Sequence, residues 1–116
     1  MRKHLVKLAS KDSRHFAILS RGKLAGYVGW NGHMEVFIFI GWPAKRGIGI
    51  GTKAMRMLQH EFRQAGKLVM SAKTERPDFF LKLGFRENPY DWRRIDPHKG
   101  LLSHLVFMTW RAHGPA

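Results

Sequence analysis

Residues 46–52 read Arg46-Gly47-Ile48-Gly49-Ile50-Gly51-Thr52, with glycine at every second position between an apolar run and an amphipathic segment. Closely spaced glycines let a backbone approach a ligand, and the first amides of a helix lack intrahelical partners and favour anions. The stretch therefore reads as a phosphate-binding turn that joins a strand to a helix. A P-loop would need four residues between its first glycine and Gly-Lys-Ser/Thr, and Gly51-Thr52-Lys53 does not supply that order. The dinucleotide fingerprint fits better: Gly49, Gly51 and Ala54 satisfy G-x-G-x-x-A, and Glu75 follows the next strand about where a ribose-binding acid would lie. Only 41 residues follow Glu75, too few to complete a doubly wound domain with a substrate region.

Working outward from the turn, Met34 to Ile40 is rich in Val, Ile and Phe and predicts a buried strand. Asn31-Gly32 is a strong turn before it, and His15 to Leu19 and Lys23 to Trp30 flank Ser20-Arg21-Gly22 as a β-hairpin. His4 to Leu8 predicts a first strand, followed by a polar loop from Ser10 to Arg14. Downstream, Gly51 to Ala65 places Met55, Leu58, Phe62 and Ala65 on one face, with Lys53, Arg56, Gln59, His60 and Arg63 largely elsewhere. That period predicts an amphipathic helix packed on a sheet, with Gly66 as its C-cap. Lys67 to Ala72 predicts a strand, Pro77 to Leu83 a short helix begun after proline, Gly84-Phe85 the break into another strand, and Leu101 to Arg111 a final strand. The order is that of an α/β (α+β) fold with a mixed, mostly antiparallel sheet, a central amphipathic helix and a second short helix.

At 116 residues the chain is read as a single domain over 1–116, with room for one core. It has no cysteine, so a disulfide framework and a thiolate metal site are excluded and a reducing compartment is the default. The seven histidines show no ligand-type spacing, which argues against a metal site. No run approaches transmembrane length and the N-terminus lacks the apolar stretch of a signal peptide, so the expectation is a cytoplasmic protein that does not use a membrane. Lys and Arg number 21 against 8 Asp and Glu, a formal +13. A field of that sign concentrates anions: nucleic acid, an acidic protein surface or a phosphorylated cofactor.

Arg46-x-x-Gly49-x-Gly51 resembles the Q/R-x-x-G-x-G/A signature of the GNAT (Gcn5-related) N-acetyltransferases, and Trp42 to Gly47 resembles the family's V-x-P-x-Y-R-G approach with some positions changed. Phe79-Phe80-Leu81-Lys82-Leu83-Gly84-Phe85 resembles its F-Y-x-K-L-G-F, and Gly22 to Val28 its G-K-L-V-G-Y-V hairpin. These elements lie in the family's order over roughly residues 15 to 90. Phe79, Leu83 and Phe85 read as core packing in any case.

The resemblance implies acetyl-coenzyme A as cofactor, with Arg46, Gly47, Ile48, Gly49, Ile50, Gly51 and Thr52 cradling its pyrophosphate. Ile40, Gly41 and Trp42 would lie beside the pantetheine arm, with Phe80 near the thioester; Lys45, Lys53 and Arg56 would add charge. Glu35 stands six residues before Gly41, which occupies the V position, where many members carry a glutamate general base; it also interrupts an apolar strand. His33 is the second candidate base. The family's usual tyrosine acid is replaced by Phe80, leaving Tyr90, Tyr27 or a water as proton donor, and Lys73 stands near the place of a frequent asparagine.

The family usually places one or two helices between its first strand and the hairpin to wall the acceptor site, whereas here only Ala9 to Arg14 intervenes. An open site on a basic surface suits a large acceptor: an amine on an acidic or nucleic-acid-bound protein, or an aminoacylated RNA. Trp92-Arg93-Arg94-Ile95 and Trp110-Arg111 mix aromatic and basic side chains, as nucleic-acid grooves do and as core tryptophans with snorkelling arginines also do. The alternative to an enzyme is a degenerate member of the fold that binds RNA or an acidic protein.

Overall fold

A computed structural model describes residues 6–10, 14–41, 49–88 and 105–113. They form β1 (Val6–Ser10), β2 (His15–Ser20), β3 (Lys23–Trp30), β4 (Val36–Ile40), α1 (Ile50–Gln64), β5 (Val69–Thr74), α2 (Pro77–Leu81), β6 (Arg86–Glu87) and β7 (Val106–Arg111). The strands make two antiparallel sheets, a four-stranded one in the order β1-β2-β3-β4 and a three-stranded one in the order β5-β7-β6. A parallel bridge between Glu35 and Ser71 joins them, through the Ser71 amide donating to the Met34 carbonyl at 2.9 Å. The mixed, mostly antiparallel fold expected from the sequence is present, divided into two sheets rather than continuous.

The hairpin forms because Arg21 (φ 56°) and Gly22 (φ 79°) both adopt left-handed backbone, the requirement of a two-residue turn that matches strand twist. Between Ile18 and Leu19 the β2–β3 register shifts, leaving Ala25 as an extra residue. β1 follows without a helix: Ser10 pairs with Phe16, so the short connection has no room for the family's acceptor-side helices. β1 runs from Val6 to Ser10 rather than ending at Leu8, because its pairing with β2 continues to Ser10. Residues 1–5 and 101–104, parts of the expected first and last strands, lie outside the described residues.

α1 begins one residue earlier than the periodicity suggests and stops at Gln64. Gly66 adopts φ 75°, the Gly66 amide donates to Arg63 and the Lys67 amide to Phe62, a Schellman arrangement that consumes residues 65–67 and delays β5 to Val69. Met55, Leu58 and Phe62 are buried as expected, but Ala65 is exposed. Gln59, expected on the polar side, is buried instead and donates from Nε2 to the Leu83 carbonyl at 2.9 Å, which satisfies both groups.

The core is continuous across the split between the sheets. Phe16, Trp30, Phe62, Trp110, Phe85, Phe80 and Phe79 form a run of ring contacts with centroids 5.0–6.3 Å apart, from β2 through α1 and β7 to α2. Trp30 meets Phe62 edge-on at 5.0 Å and 89°. α1 thus fastens both sheets through Phe62. No helix among the described residues is long and apolar enough to cross a membrane.

Candidate active site

β4 bonds to β3 along one edge, from Trp30↔Val36 to Gly26↔Ile40, and the Gly41 amide extends this by donating to the Ala25 carbonyl at 2.8 Å. Toward β5, the Glu35–Ser71 bridge is the one ladder contact among the described residues. Beyond it the strands part, and a cavity of about 540 Å³ opens, lined by Val36 to Ile40, Gly51, Ala72 to Thr74, Arg76, Phe79 and Phe80. It is of a size that takes a small ligand or an extended arm. One wall is a strand edge and the opposite wall is the aromatic face of α2.

The start of α1 borders this cavity. Gly49 is the N-cap with φ 87°, a left-handed conformation that costs glycine little and other residues more, and its carbonyl accepts the Lys53 amide at 3.0 Å. No side chain caps the helix and no acidic residue occupies its first turn. Among the described residues, no carboxylate of the first turn competes for its amides, which have the helix dipole behind them. A side chain built on Gly49 would meet nothing within 4 Å among the described residues, while one on Gly51 would stand 3.4 Å from the Phe79 ring. Both glycines keep the approach to the helix open. This donor set fits a phosphorylated cofactor whose arm continues into the cavity.

At the bridged end stands Glu35, its side chain 21% exposed. Lys73 Nζ lies 3.8 Å from Oε2, and Asn31 Nδ2 donates to Oε1 at 3.4 Å. Asn31 also orders the backbone: its Oδ1 accepts from the amides of His33 (2.8 Å) and Glu35 (3.0 Å), while Met34 between them takes φ 63°. The turn read at Asn31-Gly32 is thus a device that fixes where Glu35 begins the strand. Lys73 also lies 5.9 Å from the Phe107 ring, so two partners hold its ammonium beside the carboxylate.

Of the residues expected to hold a cofactor, the structure brings Ile40, Gly51 and Phe80 to the cavity, with Gly41, Gly49, Ile50 and Thr52 at its approaches. Trp42, Lys45, Arg46, Gly47 and Ile48 lie outside the described residues, as do Tyr90 and Trp92 to Ile95. His33 is exposed and does not line the cavity. Tyr27 is likewise exposed and does not line it. Arg56 donates to the Lys82 carbonyl at 3.3 Å, joining α1 to the end of α2. Phe80 is 6% exposed and stacks edge-on with Phe79 and Phe85, so the usual tyrosine's place is filled by a packed ring. The buried strand expected over Met34 to Ile40 is shorter and only half-buried, because its alternate residues Phe37 and Phe39 face outward. Sequence reasoning missed the partnership of Asn31 and Lys73 with Glu35. The side-chain chemistry of Asn31 was a local signal; the Lys73 contact, across two sheets, had none.

A splayed strand pair, a helix start after a glycine turn and a carboxylate at the bridged end form one mixed α/β arrangement. The profile of the acetyltransferase (GNAT) domain family matches residues 1–93, and the chain belongs to that family. No curated protein matches the sequence. Among solved structures, it is similar to N-acetylglutamate synthase from Neisseria gonorrhoeae complexed with coenzyme A and N-acetylglutamate, with a TM-score of 0.66 and 15% identity over 87% of this chain and 26% of that one. It is similar to yncA from Salmonella typhimurium with its cofactor acetyl-CoA, with a TM-score of 0.65 and 23% identity over 88% of this chain and 66% of that one. It is also similar to ribosomal-protein-alanine N-acetyltransferase from Brucella melitensis, with a TM-score of 0.66 and 20% identity over 84% of this chain and 67% of that one. At these identities the likeness is one of fold. The chain spans about a quarter of the synthase's length and just under two thirds of yncA's.

Proposed function

We propose that this GNAT domain transfers an acetyl group directly from acetyl-coenzyme A to a primary amine carried on a macromolecule, with Glu35 as general base. The observation that carries the proposal is one cavity lined at one end by Gly51, in the first turn of a helix without a side-chain cap, and at the other by Val36 and Lys73, the chain neighbour and the ion-pair partner of Glu35, which itself stands just outside the lining. Bound acetyl-coenzyme A supplies an activated thioester. The first-turn amides of α1 hold its phosphates, and the edge of β4 that faces β5 beyond the bridge lies alongside its arm. Arg46 to Ile48, from the matched motif, complete the cradle in this reading.

Glu35 takes the proton that the acceptor nitrogen loses as its bond to the acetyl carbon forms. Lys73 and Asn31 hold that carboxylate in place. The bond to sulfur breaks and the thiolate leaves, taking its proton from Tyr90, which lies outside the described residues, or from solvent; Phe80 offers no hydroxyl and Tyr27 does not line the cavity. The chain has no cysteine to carry an acetyl group, in keeping with direct transfer. The absence of acceptor-side helices between β1 and β2 leaves the site open, which suits an amine on a protein or on RNA more than a small metabolite. Phe80 also favours a second reading, a binding protein of the same fold with little catalysis.

The test is an acceptor screen by intact mass, offering lysine- and N-terminal-amine proteins, RNA-linked amines and small amines with acetyl-coenzyme A. Acetylation of a macromolecule that disappears in Glu35→Gln is the expected result. Acetylation of small amines alone would contradict the macromolecular acceptor, and binding without turnover on any acceptor would favour the second reading.

A further inference from the structure

The residues of the four-stranded sheet that face the core alternate with a second set on its other side. Phe16, Ile18, Val28 and Trp30 are buried against α1 and its neighbours, so the opposite face carries Tyr27, Phe37 and Phe39, which are 38%, 40% and 60% exposed. Tyr27 pairs directly with Phe39, and Phe37 pairs with Gly29 in the next row. The glycines let the rings lie across the sheet. A side chain on Gly29 would come within 2.6 Å of Phe37 Cζ, and one on Gly41 within 3.0 Å of Phe39 Cε2. His15 braces the far edge of Phe37, with ring centroids 5.4 Å apart. The result is a platform of adjacent aromatic rings, unlike the singly scattered apolar residues of an ordinary surface.

The charge around it has one sign. The described residues of this sheet include Lys7, Arg14, Arg21 and Lys23 but a single carboxylate, Glu35, within a chain of formal charge +13. A second copy of the chain would bring the same positive field and be repelled. A lipid surface is suited by rings that project, whereas these lie against the sheet. A partner with phosphates at regular intervals and flat rings between them matches both features at once.

We propose that this face is a docking platform for single-stranded nucleic acid, with bases stacked on Tyr27, Phe37 and Phe39 and the backbone phosphates met by the flanking cations. Glu35 stands just before β4, two positions ahead of Phe37, and Phe37 and Phe39 also line the cavity, so the platform adjoins the proposed base. The acceptor amine is then one carried by nucleic acid, a consequence that rests on the acetyl-transfer reading, whereas binding itself does not.

The test is fluorescence anisotropy with labelled oligouridine and oligothymidine of about 12 nucleotides, within the span of one such groove, measured without acetyl-coenzyme A. Tyr27 is the diagnostic position because it does not line the cavity. Tyr27→Ala weakens binding roughly 5- to 150-fold, the range for one stacked base, while Tyr27→Phe restores it. Arg14→Ala, at the residue that adjoins Phe37 over Gly29, weakens oligonucleotides of every sequence alike and lowers the salt dependence by about one phosphate contact. Linear polyphosphate, which has charge but no bases, binds weakly and does not respond to Tyr27→Ala. The proposal is overturned by absence of oligonucleotide binding at low salt, by polyphosphate binding as tight as oligonucleotide, or by tighter binding of anionic phosphatidylglycerol vesicles through the same tyrosine. Loss of acetyl-coenzyme A binding by the parent protein would overturn the acetyl-transfer reading and leave this one standing.

Discussion

The two ends of the β4–β5 splay are built from different materials. At the open end the working groups are backbone: first-turn amides of α1, made accessible by Gly49 at φ 87° and by Gly51 beside the Phe79 ring. At the bridged end they are side chains, with Glu35 held between Lys73 and Asn31. Backbone donors tolerate changes in every nearby side chain except those that block or repel, whereas a side-chain base depends on one atom pair. Substitution should therefore affect binding at one end and turnover at the other.

The largest separation is expected from Glu35→Gln, which should lower kcat/KM by about 10²- to 10⁴-fold while leaving acetyl-coenzyme A affinity nearly unchanged, as stopped-time product assays and calorimetry would show. A parallel loss of cofactor affinity would break the division between the two ends. Next, Phe62→Ala should destabilise the fold by about 3–5 kcal/mol in denaturant unfolding, because Phe62 links the rings of both sheets. Both ends should then weaken together, which sharpens the contrast with local substitutions. Asn31→Ala removes the acceptor of two amides and should cost about 1–2 kcal/mol in the same assay, with a fall in kcat larger than any rise in cofactor Kd. The smallest effect is that of Lys73→Met. The pair is 3.8 Å apart and Lys73 is 41% exposed, so a stability change of about 1 kcal/mol or less is expected. Its signature should be kinetic, a reduced kcat that Lys73→Arg largely restores.

The same contrast explains what could be read before the fold was known. The open end is local in sequence: alternating glycines followed at once by a helical period identify a helix start that takes an anion, and the family motifs around Gly49 and Phe80 agree with it. Gly66 and the Arg21-Gly22 turn were legible for the same reason, since each is specified by a glycine that must take left-handed backbone. The bridged end is assembled from residues 31, 35 and 73, and the last of these is brought in only by the pairing of Ser71 with the start of β4. The position of Glu35 could be matched to a family habit, but its partners could not. Gln59 and Phe39 failed in opposite directions because helical period and hydrophobicity do not reveal a neighbour's needs. The Leu83 carbonyl drew a polar side chain inward, and strand alternation turned Phe37 and Phe39 to the face away from the core.

The measurement that bears most directly on the account is calorimetric titration of acetyl-coenzyme A at moderate salt into the parent protein and into Gly49→Glu. Among the described residues the space around Gly49 is open, so the substituted carboxylate adds negative charge without filling the core, and Gly49→Ala, which carries the same strain at φ 87° without the charge, is titrated beside it as the control. Saturable binding by the parent with about tenfold or greater weakening in the folded variant is the predicted result, the size expected for losing one charge-assisted contact. Absence of saturable binding by the parent, or undiminished binding by the variant, would contradict the assignment of the cofactor to the start of α1.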